Sequence, residues 1–428
     1  EKPIWINLNS KSKNIEKAIL VGAVLGNNNV YSVDEHLDEL ELLFQTAGGE
    51  VVGRVTQKIS RINPSFFIGK GKAEQLIQQA NILYADLIIF DDDLSPAQTK
   101  NFLKLGENLK VIDRSALILD IFRKHAKSKE AKTQVELAHL QYILPRLTRM
   151  WTHLERQMGG IGTRAGAGET QIEVDRRLIR LKIGKLKKEL IQIDQERIIQ
   201  GNRRKDEFQV SMTGYTNSGK STLMKAITGE EVFIQDQLFA TVDTTIRSVS
   251  VNRTHKFLLS DTVGFIRKLP HHLVASFRST LKEVIEADLL LIVLDASSPQ
   301  IMEHMETIRA VLKEIKADQQ EQLVVLNKID LIKGSARMAY LKRIFPEGVL
   351  ISAQNHYRID QLVKNITELM DKRAKTVDLF FSYKQGKELA AAKAGVEVLE
   401  QSIDEDGIHL KIRGSPHRIN QILISTEK

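Results

Sequence analysis

The stretch that decides the fold is Gly214-Tyr215-Thr216-Asn217-Ser218-Gly219-Lys220-Ser221, which follows the apolar run from Phe208 to Thr213. It reads G-x-x-x-x-G-K-S and predicts a strand, a glycine-rich turn and the start of a helix. The loop N–H groups and the helix N-terminus can then surround phosphates. Lys220 would reach the β- and γ-phosphates, and the Ser221 hydroxyl would bind Mg²⁺. The candidate nucleotide-binding residues here are Gly214, Tyr215, Thr216, Asn217, Ser218, Gly219, Lys220, Ser221 and Thr222.

A second motif, D-x-x-G, follows the apolar residues Phe257 to Leu259 and consists of Asp261, Thr262, Val263 and Gly264. An aspartate at the end of a strand beside the phosphate loop can hold Mg²⁺ through water. The N–H of Gly264 can be offered to the γ-phosphate. Both roles require the two strands to end at the same edge of one sheet.

Two further motifs predict which base is bound. Leu323 to Leu326 runs into N-K-x-D, made of Asn327, Lys328, Ile329 and Asp330. Asp330 can accept hydrogen bonds from the ring N–H and the exocyclic amine of guanine, whereas adenine would leave the carboxylate unmatched. Ser352, Ala353 and Gln354 follow another apolar run, and the Ala353 N–H could meet the guanine O6. The four motifs predict an α/β chain whose doubly wound sheet is a P-loop domain binding GTP or GDP with Mg²⁺.

The segment between the first two motifs offers a switch threonine. It contains Phe239, Ala240, Thr241, Val242 and Asp243, followed by Thr244 and Thr245. We take Thr241 as the residue that brings its hydroxyl to Mg²⁺, because related GTPases carry a similar F-A-T or F-T-T run. Spacing alone does not exclude Thr244 or Thr245. The candidate catalytic residues are Lys220, Thr241 and Gly264.

Two positions bear on the rate of hydrolysis. Phe265 stands where many GTPases have a glutamine that orients the attacking water, so we expect slow intrinsic hydrolysis. Alternatively, Phe265 only packs on the following helix. Asn217 stands where some GTPases use an asparagine to help hold a monovalent cation, so a K⁺ ion there could supply positive charge. Alternatively, Asn217 only stabilises its own turn.

Composition limits the class of protein. The 428 residues carry a net charge of +8 and contain no cysteine, which excludes disulfides and thiolate metal sites. No apolar run approaches the roughly 20 residues of a membrane span, and no signal peptide is visible. We therefore expect a cytoplasmic protein, monomeric when free. The positive charge points to a polyanionic partner.

The chain is expected to hold four domains: an N-terminal α/β domain (1–128), a basic antiparallel helical hairpin (129–205), the GTPase domain (206–375) and a small C-terminal α/β domain (376–428). The predicted N-terminal strands are Ala18 to Leu25, Glu50 to Val55, Ala85 to Phe90 and Leu109 to Ile112. The predicted N-terminal helices are Val33 to Thr46, Gly71 to Leu83 and Pro96 to Leu105, the last capped by Ser95. In the C-terminal domain, we predict strands at Val377 to Tyr383 and Ile408 to Ile412 and a helix at Leu389 to Ser402. Two strands are not stable alone, so we expect this domain to contain further strands or to pack on the GTPase domain.

The hairpin is predicted from two seams of apolar residues at alternating spacings of three and four, from Leu137 to Leu154 and from Ile179 to Ile193. Pro145 is expected to kink the first helix without ending it. A glycine-rich stretch from Gly159 to Gly168 would form the tip. Arginine suits phosphate, so a basic arm with a pliable tip fits folded RNA, although surface charge on a coiled coil is often only a solvated face. The candidate RNA-binding residues are Arg146, Arg149, Arg156, Arg164, Arg176, Arg177 and Arg180.

Besides the GTPase motifs, the sequence contains a set of further distinctive runs. They are Phe90-Asp91 with Leu94-Ser95-Pro96-Ala97-Gln98, Val111-Ile112-Asp113-Arg114, Ile118-Leu119-Asp120-Ile121-Phe122, Gln134-Val135-Glu136-Leu137-Ala138, Trp151-Thr152-His153-Leu154-Glu155-Arg156-Gln157, Gly159-Gly160-Ile161-Gly162, Gly168-Glu169-Thr170-Gln171, Asp175-Arg176-Arg177 and the run from Asp261 to Arg267. In these runs, and along nearly its whole length, the chain resembles the HflX family of translation-associated GTPases.

The resemblance implies a partner as well as an activity. It implies binding to the large ribosomal subunit and the assembled 70S ribosome, with rRNA met by the N-terminal domain and the helical arm. It further implies ribosome-stimulated GTP hydrolysis and the splitting of stalled ribosomes under stress such as heat. Two other classes stay open at this point: a GTPase of RNA modification or ribosome assembly, and a non-catalytic RNA-binding scaffold that GTP locks in one shape.

Overall fold

The computed structural model describes residues 15–25, 30–106, 109–147, 171–201, 207–229, 238–239, 241, 243–252, 255–268, 281–414 and 416–426. The chain divides into two compact units. The first consists of Glu1–Gln192 with Asp236–Val242 and Lys268–Phe277, and the second consists of Ile193–Gln235, Asp243–Arg267 and Arg278–Lys428. Within the described ranges, no helix is both long and apolar enough to cross a membrane.

The first unit contains a four-stranded parallel sheet in the order β2-β1-β3-β4. Its strands are β1 (Lys17–Leu25), β2 (Glu50–Ile59), β3 (Leu87–Phe90) and β4 (Lys110–Asp113). Its helices are α1 (Val30–Ala47), α2 (Lys70–Ile82), α3 (Pro96–Leu105) and α4 (Arg114–His125). All four residues of β3 are buried, as expected for a parallel strand covered on both faces. The predicted strands and helices are confirmed, with ends shifted by a few residues.

Helix α3 begins as its sequence predicts. The Ser95 hydroxyl accepts from the Gln98 N–H at 3.2 Å, and the Gln98 side-chain oxygen accepts from the Ser95 N–H at 2.8 Å. Pro96 occupies the first helical position, where its missing N–H costs nothing. This reciprocal capping box fixes where the chain turns after β3.

The helical arm is described in part. It consists of α5 (Lys129–Ile143), a 3-10 turn at Leu144–Arg146, and α6 (Gln171–Gly201). Ion pairs join Lys129 to Glu189 and Lys182 to Glu136, so the two helices run antiparallel. The expectation that Pro145 leaves the first helix intact was wrong, because the α-helix ends at Ile143 and Leu147 is extended (φ −65°, ψ 106°). Proline cannot supply the N–H that continues the helix. The predicted tip lies outside the described residues.

The second unit contains a six-stranded sheet in the order β10-β9-β8-β5-β7-β6, parallel except for β6. Its strands are β5 (Phe208–Gly214), β6 (Thr245–Ser250), β7 (Lys256–Asp261), β8 (Leu289–Asp295), β9 (Glu321–Asn327) and β10 (Val349–Leu350). Its helices are α7 (Lys220–Thr228), α8 (Lys282–Ile285), α9 (Ile301–Glu314), a 3-10 turn (Ile329–Leu331), α10 (Ser335–Ile344) and α11 (Ile359–Arg373). The four sequence motifs all follow the carboxyl ends of its strands, which lie at one edge of the sheet.

A three-stranded antiparallel sheet in the order β11-β13-β12 follows in the same unit. Its elements are β11 (Lys375–Ser382), α12 (Gly386–Lys393), β12 (Glu397–Ile403), β13 (Gly407–Gly414) and α13 (Pro416–Thr426). The expected further strand exists, but the predicted helix from Leu389 to Ser402 was wrong. The helix ends at Lys393, Gly395 turns the chain with φ +74°, and the rest of the segment pairs with β13. Only glycine adopts that angle without strain.

A buried charge cluster holds α1, β3 and α4 together. Asp91 is 3% exposed and Arg114 is 1% exposed. The Arg114 Nη1 donates to Asp91 Oδ1 at 2.6 Å, and its Nη2 lies 3.1 Å from Glu39 Oε1. The Lys268 Nζ donates to the other oxygen of Asp91 at 2.6 Å. Burial by itself would raise the pKa of Asp91, but Arg114 and Lys268 outweigh it and lower that pKa. The stabilisation is therefore present at neutral pH and fades as the pH falls below about 4.

We expect Arg114→Leu to destabilise the first unit by about 3–5 kcal/mol, because it leaves a buried carboxylate without its partner. The measurement is urea unfolding of the full chain followed by circular dichroism. Arg54→Leu is the matched control: Arg54 pairs with Asp38 and Glu41 but is 38% exposed, so its loss should cost about 1 kcal/mol or less. Equal effects of the two substitutions would show that the buried cluster is not what holds these elements.

Candidate functional site

The phosphate loop leaves β5 at Gly214 and enters α7 at Lys220. Its two glycines, Gly214 and Gly219, lie where there is no room for a side chain. A Cβ atom on Gly214 would lie 2.3 Å from the carbonyl oxygen of Val293. Gly219 has φ +91°, and a Cβ there would lie 2.3 Å from Asn327 Nδ2. Such distances are far inside van der Waals contact. The loop can therefore lie against β8 and β9 only because these positions carry no side chain.

Lys220 is folded back along the loop. Its Nζ donates to the carbonyl oxygens of Gly214 at 3.2 Å and Tyr215 at 2.9 Å. The residue is 7% exposed, and burial lowers the pKa of its ammonium to about 8, although Asp261 opposes the change. Because burial disfavours the charged form of this ammonium, an anion placed beside it would stabilise that form.

Ser221 and Asp261 meet at the end of the loop. The Ser221 hydroxyl donates to Asp261 Oδ2 at 2.6 Å, and Asp261 is 1% exposed. Burial raises the pKa of Asp261, against the opposing effects of Lys220 and Ser221. Its second oxygen, Oδ1, is buried and has no hydrogen-bond partner among the described residues. Such an orphaned oxygen beside a hydroxyl is a suitable donor set for a hard cation.

The D-x-x-G segment lies directly on the phosphate loop. The Thr262 hydroxyl donates to the Met212 carbonyl at 2.8 Å, which anchors the segment to β5. A Cβ on Gly264 would lie 2.9 Å from the Cα of Thr216 and 3.0 Å from Lys220 Nζ. Val263 is buried as well. Phe265 is 1% exposed, so its ring packs inside the protein.

Asn327 joins the base-recognition motifs to the phosphate loop. Its Nδ2 donates to the Ser218 carbonyl at 2.9 Å, and its Oδ1 accepts from the Ala353 N–H at 2.9 Å. In this structure the Ala353 N–H donates to Asn327. Its contact with the guanine O6 stays a prediction. Ser352 is buried and Gln354 is exposed.

Lys328 and Asp330 follow Asn327 in a tight turn. Lys328 has the left-handed φ of 63°, and its Nζ lies 2.9 Å from Asp295 Oδ2. Ile329 N–H donates to the Ile351 carbonyl at 3.3 Å, which sets the turn beside the last motif. Asp330 is exposed, so its carboxylate is accessible to a ligand, and its contact with guanine stays a prediction. Sequence reasoning missed Asp295, although an acid at the end of the apolar strand Leu289–Asp295 was a usable signal.

The switch residues are described only in part. Ala240 and Val242 lie outside the described residues. Phe239 is buried, its ring meets the Phe122 ring edge-on at 4.6 Å, and its carbonyl lies 2.8 Å from His125 Nδ1. The Phe239 side chain is thus used for packing in the first unit. Thr241 and Asp243 are half-buried, and the role of Thr241 stays a prediction.

Asn217 is exposed at the crest of the phosphate loop and has φ 58°. Asparagine tolerates this left-handed conformation better than most residues. The geometry agrees with the simpler interpretation of Asn217 as a turn residue. A cation at this position stays a prediction.

The candidate RNA-binding arginines differ in their surroundings. Arg146 donates to the carbonyls of Tyr142 and Leu94 and to Asp113, at 3.0, 2.8 and 3.1 Å, so it is committed to structural contacts. Arg176 donates to the Leu147 carbonyl at 2.7 Å and is half-buried. Arg177 and Arg180 are exposed on α6. Arg149, Arg156 and Arg164 lie outside the described residues.

Comparison with known protein families gives three matches in chain order. The model described as "GTP-binding GTPase N-terminal" matches residues 34–123, and that described as "GTP-binding GTPase Middle Region" matches residues 125–204. The model described as "50S ribosome-binding GTPase" matches residues 209–328.

Individual relatives cover most of the chain. GTPase HflX of Caldanaerobacter subterraneus is 42% identical, over 95% of this chain and 94% of the relative. GTPase HflX of Flavobacterium psychrophilum is 49% identical, over 76% of this chain and 78% of the relative. A solved structure of a GTP-binding protein from Sulfolobus solfataricus in complex with GDP is 26% identical, covers 83% of this chain and 98% of that chain, and has a TM-score of 0.43.

The exposed carboxylate of Asp330 generates a prediction about base choice. Asp330→Asn replaces one acceptor by a donor, so we expect GTP to bind more weakly by about 1–3 kcal/mol and xanthosine triphosphate to gain relative affinity. Titration with both fluorescent nucleotides measures this. Asp318→Asn, an exposed acid of the same unit, should change neither affinity. Unaltered GTP affinity in Asp330→Asn would remove Asp330 from the base site.

Proposed function

Since this chain belongs to the HflX family of GTPases, it binds and hydrolyses GTP, and we propose that it does so on the large ribosomal subunit and the assembled ribosome. The family match to a ribosome-binding GTPase over residues 209–328 supports the partner. Membership of a family of GTPases favours a catalytic protein over the alternative of a non-catalytic RNA-binding scaffold that GTP locks in one shape. We further propose a cytoplasmic location, where ribosomes are found.

The observation that carries the nucleotide function is the double hydrogen bond of Asn327. One amide joins the phosphate loop at Ser218 to the last motif at Ala353, so the phosphate and base halves of the site are held at a fixed separation. Preorganisation of this kind lowers the cost of ordering the site when a nucleotide binds.

We propose that Mg²⁺ accompanies the nucleotide. The residues fit the ion: Ser221 Oγ is an oxygen ligand, and Asp261 has a buried oxygen without a hydrogen-bond partner in the described part of the chain. Thr241 would add its hydroxyl. Mg²⁺ prefers oxygen ligands and, when bound, neutralises charge that develops on the phosphates. The buried Lys220 supplies positive charge from the protein itself.

The hydrolytic step lacks an obvious water-positioning side chain in this segment. Phe265 has no hydrogen-bonding group and its ring is buried, so the Gly264 N–H and Lys220 are left to stabilise the transferring phosphate. We propose that the ribosome supplies what is missing, and that K⁺ near Asn217 assists. The second proposal rests on the place of Asn217 in the loop sequence, where some GTPases use an asparagine to help hold a monovalent cation.

We expect the free protein to hydrolyse GTP slowly and purified large ribosomal subunits to accelerate it by tenfold or more, about 1.4 kcal/mol of barrier. Single-turnover hydrolysis in K⁺ and in Na⁺ measures both proposals. Asn217→Ala should abolish any preference for K⁺. Equal rates in the two salts would dismiss the cation and leave the ribosome proposal standing, whereas fast turnover without ribosomes would contradict both.

We propose that the helical arm contributes to ribosome binding through exposed positive charge on α6. Arg177 and Arg180 are exposed there, and so are Lys185, Lys187 and Lys188. RNA helices are recognised largely through backbone and shape, which suits such a surface.

We further propose that the protein splits stalled ribosomes under stress such as heat. Sedimentation of 70S ribosomes with the protein and a non-hydrolysable GTP analogue tests the splitting.

If α6 grips rRNA, Arg177→Gln with Arg180→Gln should weaken binding to large subunits and flatten its dependence on log salt by about 0.7–0.9 per lost contact. Cosedimentation across a salt series measures this. Arg309→Gln, an exposed arginine of α9, is the control, and nucleotide affinity should not change in either variant. Superimposable salt series for wild type and the double variant would dismiss these arginines as RNA contacts.

A role in RNA modification or ribosome assembly is the remaining alternative. It requires the same nucleotide site and a similarly basic arm. A preference for precursor particles over mature subunits in the same cosedimentation assay would favour it.

A further inference from the structure

Tyr215 lies between the phosphate loop and helix α9. It is 6% exposed, and its ring stacks on the His304 imidazole with centroids 3.9 Å apart and planes 15° apart. The stack fixes the direction of the ring, because a tilt in either sense would separate the two planes. The phenol oxygen is thereby held at a definite place beyond the loop.

That oxygen accepts a hydrogen bond from the backbone of the segment that follows the D-x-x-G motif. The Tyr215 hydroxyl accepts from the Arg267 N–H at 2.9 Å. The Arg267 guanidinium reaches Glu303 at 3.4 Å, on the same turn of α9 as His304. The end of the segment is therefore attached to the phosphate loop by a side chain and lies along α9.

The start of the segment is attached to the same loop through backbone. The Phe265 N–H donates to the Gly214 carbonyl at 2.9 Å, and the Thr216 N–H donates to the Phe265 carbonyl at 2.7 Å. Any residue at position 215 would permit these two bonds. Gly264 precedes them directly and touches Thr216 so closely that a Cβ would clash.

We propose that Tyr215 is a positioning residue for GTP hydrolysis. Its hydroxyl holds the segment after Gly264 against the phosphate loop and so places the Gly264 N–H for the γ-phosphate. The inference rests on the proposed role of Gly264 in binding that phosphate. The proposed role of Tyr215 differs from that of the rest of the loop, whose backbone would surround the α- and β-phosphates that GDP also carries. Loss of the hydroxyl should therefore affect GTP and leave GDP almost untouched.

Tyr215→Phe tests this, because it keeps the ring and the stack and removes only the hydroxyl group. We expect single-turnover GTP hydrolysis to fall about three- to tenfold, as for loss of one hydrogen bond of ordinary strength. Affinity for a non-hydrolysable GTP analogue should fall to a similar extent, whereas GDP affinity should stay within about twofold of wild type. His304→Leu, which removes the stacked imidazole, should lower GTP hydrolysis and affinity for the GTP analogue in the same way and likewise leave GDP affinity within about twofold of wild type.

Tyr383→Phe is the matched control, since it removes a tyrosine hydroxyl that donates to the Asp404 carbonyl in the C-terminal sheet region. It should behave as wild type. A parallel loss of GDP and GTP affinity in Tyr215→Phe would show a merely structural role, and wild-type values throughout would show that the hydroxyl does not position the segment. Either result overturns the inference. Failure of the wild-type protein to bind the GTP analogue while it binds GDP would instead overturn the proposed role of Gly264 on which the inference rests.

Discussion

The two hydrogen bonds of the Asn327 side chain are the constraint on which the site depends. They join the loop after β5 to the loop after β10 across the edge of a parallel sheet. An amide is suited to this task, because it donates and accepts at once and carries no charge that would have to be buried. The same contact explains a residue of another motif: Gly219 must be glycine, since a Cβ there would lie on Asn327 Nδ2. Motifs far apart in sequence therefore depend on one another through a single side chain.

Charge in the nucleotide site is buried before any ligand contributes. Burial lowers the pKa of Lys220 to about 8 and raises the pKa of Asp261. An opposite charge closer to each group would stabilise the charged form of that group. A polyphosphate with a divalent cation would supply both opposite charges together. Electrostatic groups fixed in a water-poor site need no reorganisation when the reaction begins. The buried Lys220 ammonium and Asp261 carboxylate are thus the groups of this site that an anion and a cation, respectively, would stabilise most.

The first unit is organised around buried carboxylates in a comparable way. Asp113 ends β4, caps α4 through the Ala116 N–H at 2.9 Å, and accepts from the Tyr142 hydroxyl at 2.9 Å. Burial raises its pKa, and the opposing charge of Arg146 offsets part of that effect. Arg146 is therefore held by contacts within this unit, whereas Arg177 and Arg180 lie exposed on α6.

The sequence by itself determined the nucleotide motifs, their order at the strand ends, and most elements of the N-terminal sheet, because each depends on short-range patterns such as apolar runs, loop glycines and the cap at Ser95. Tertiary structure decided the rest. The segment Glu397–Ile403 is a strand because β13 offers it a pairing edge, although its composition also suits a helix. Likewise, the stack of Tyr215 on His304 and the hydroxyl contact with Arg267 join residues that are 89 and 52 positions apart. No local pattern records such contacts, because their free energy exists only once the sheet has brought the loops together.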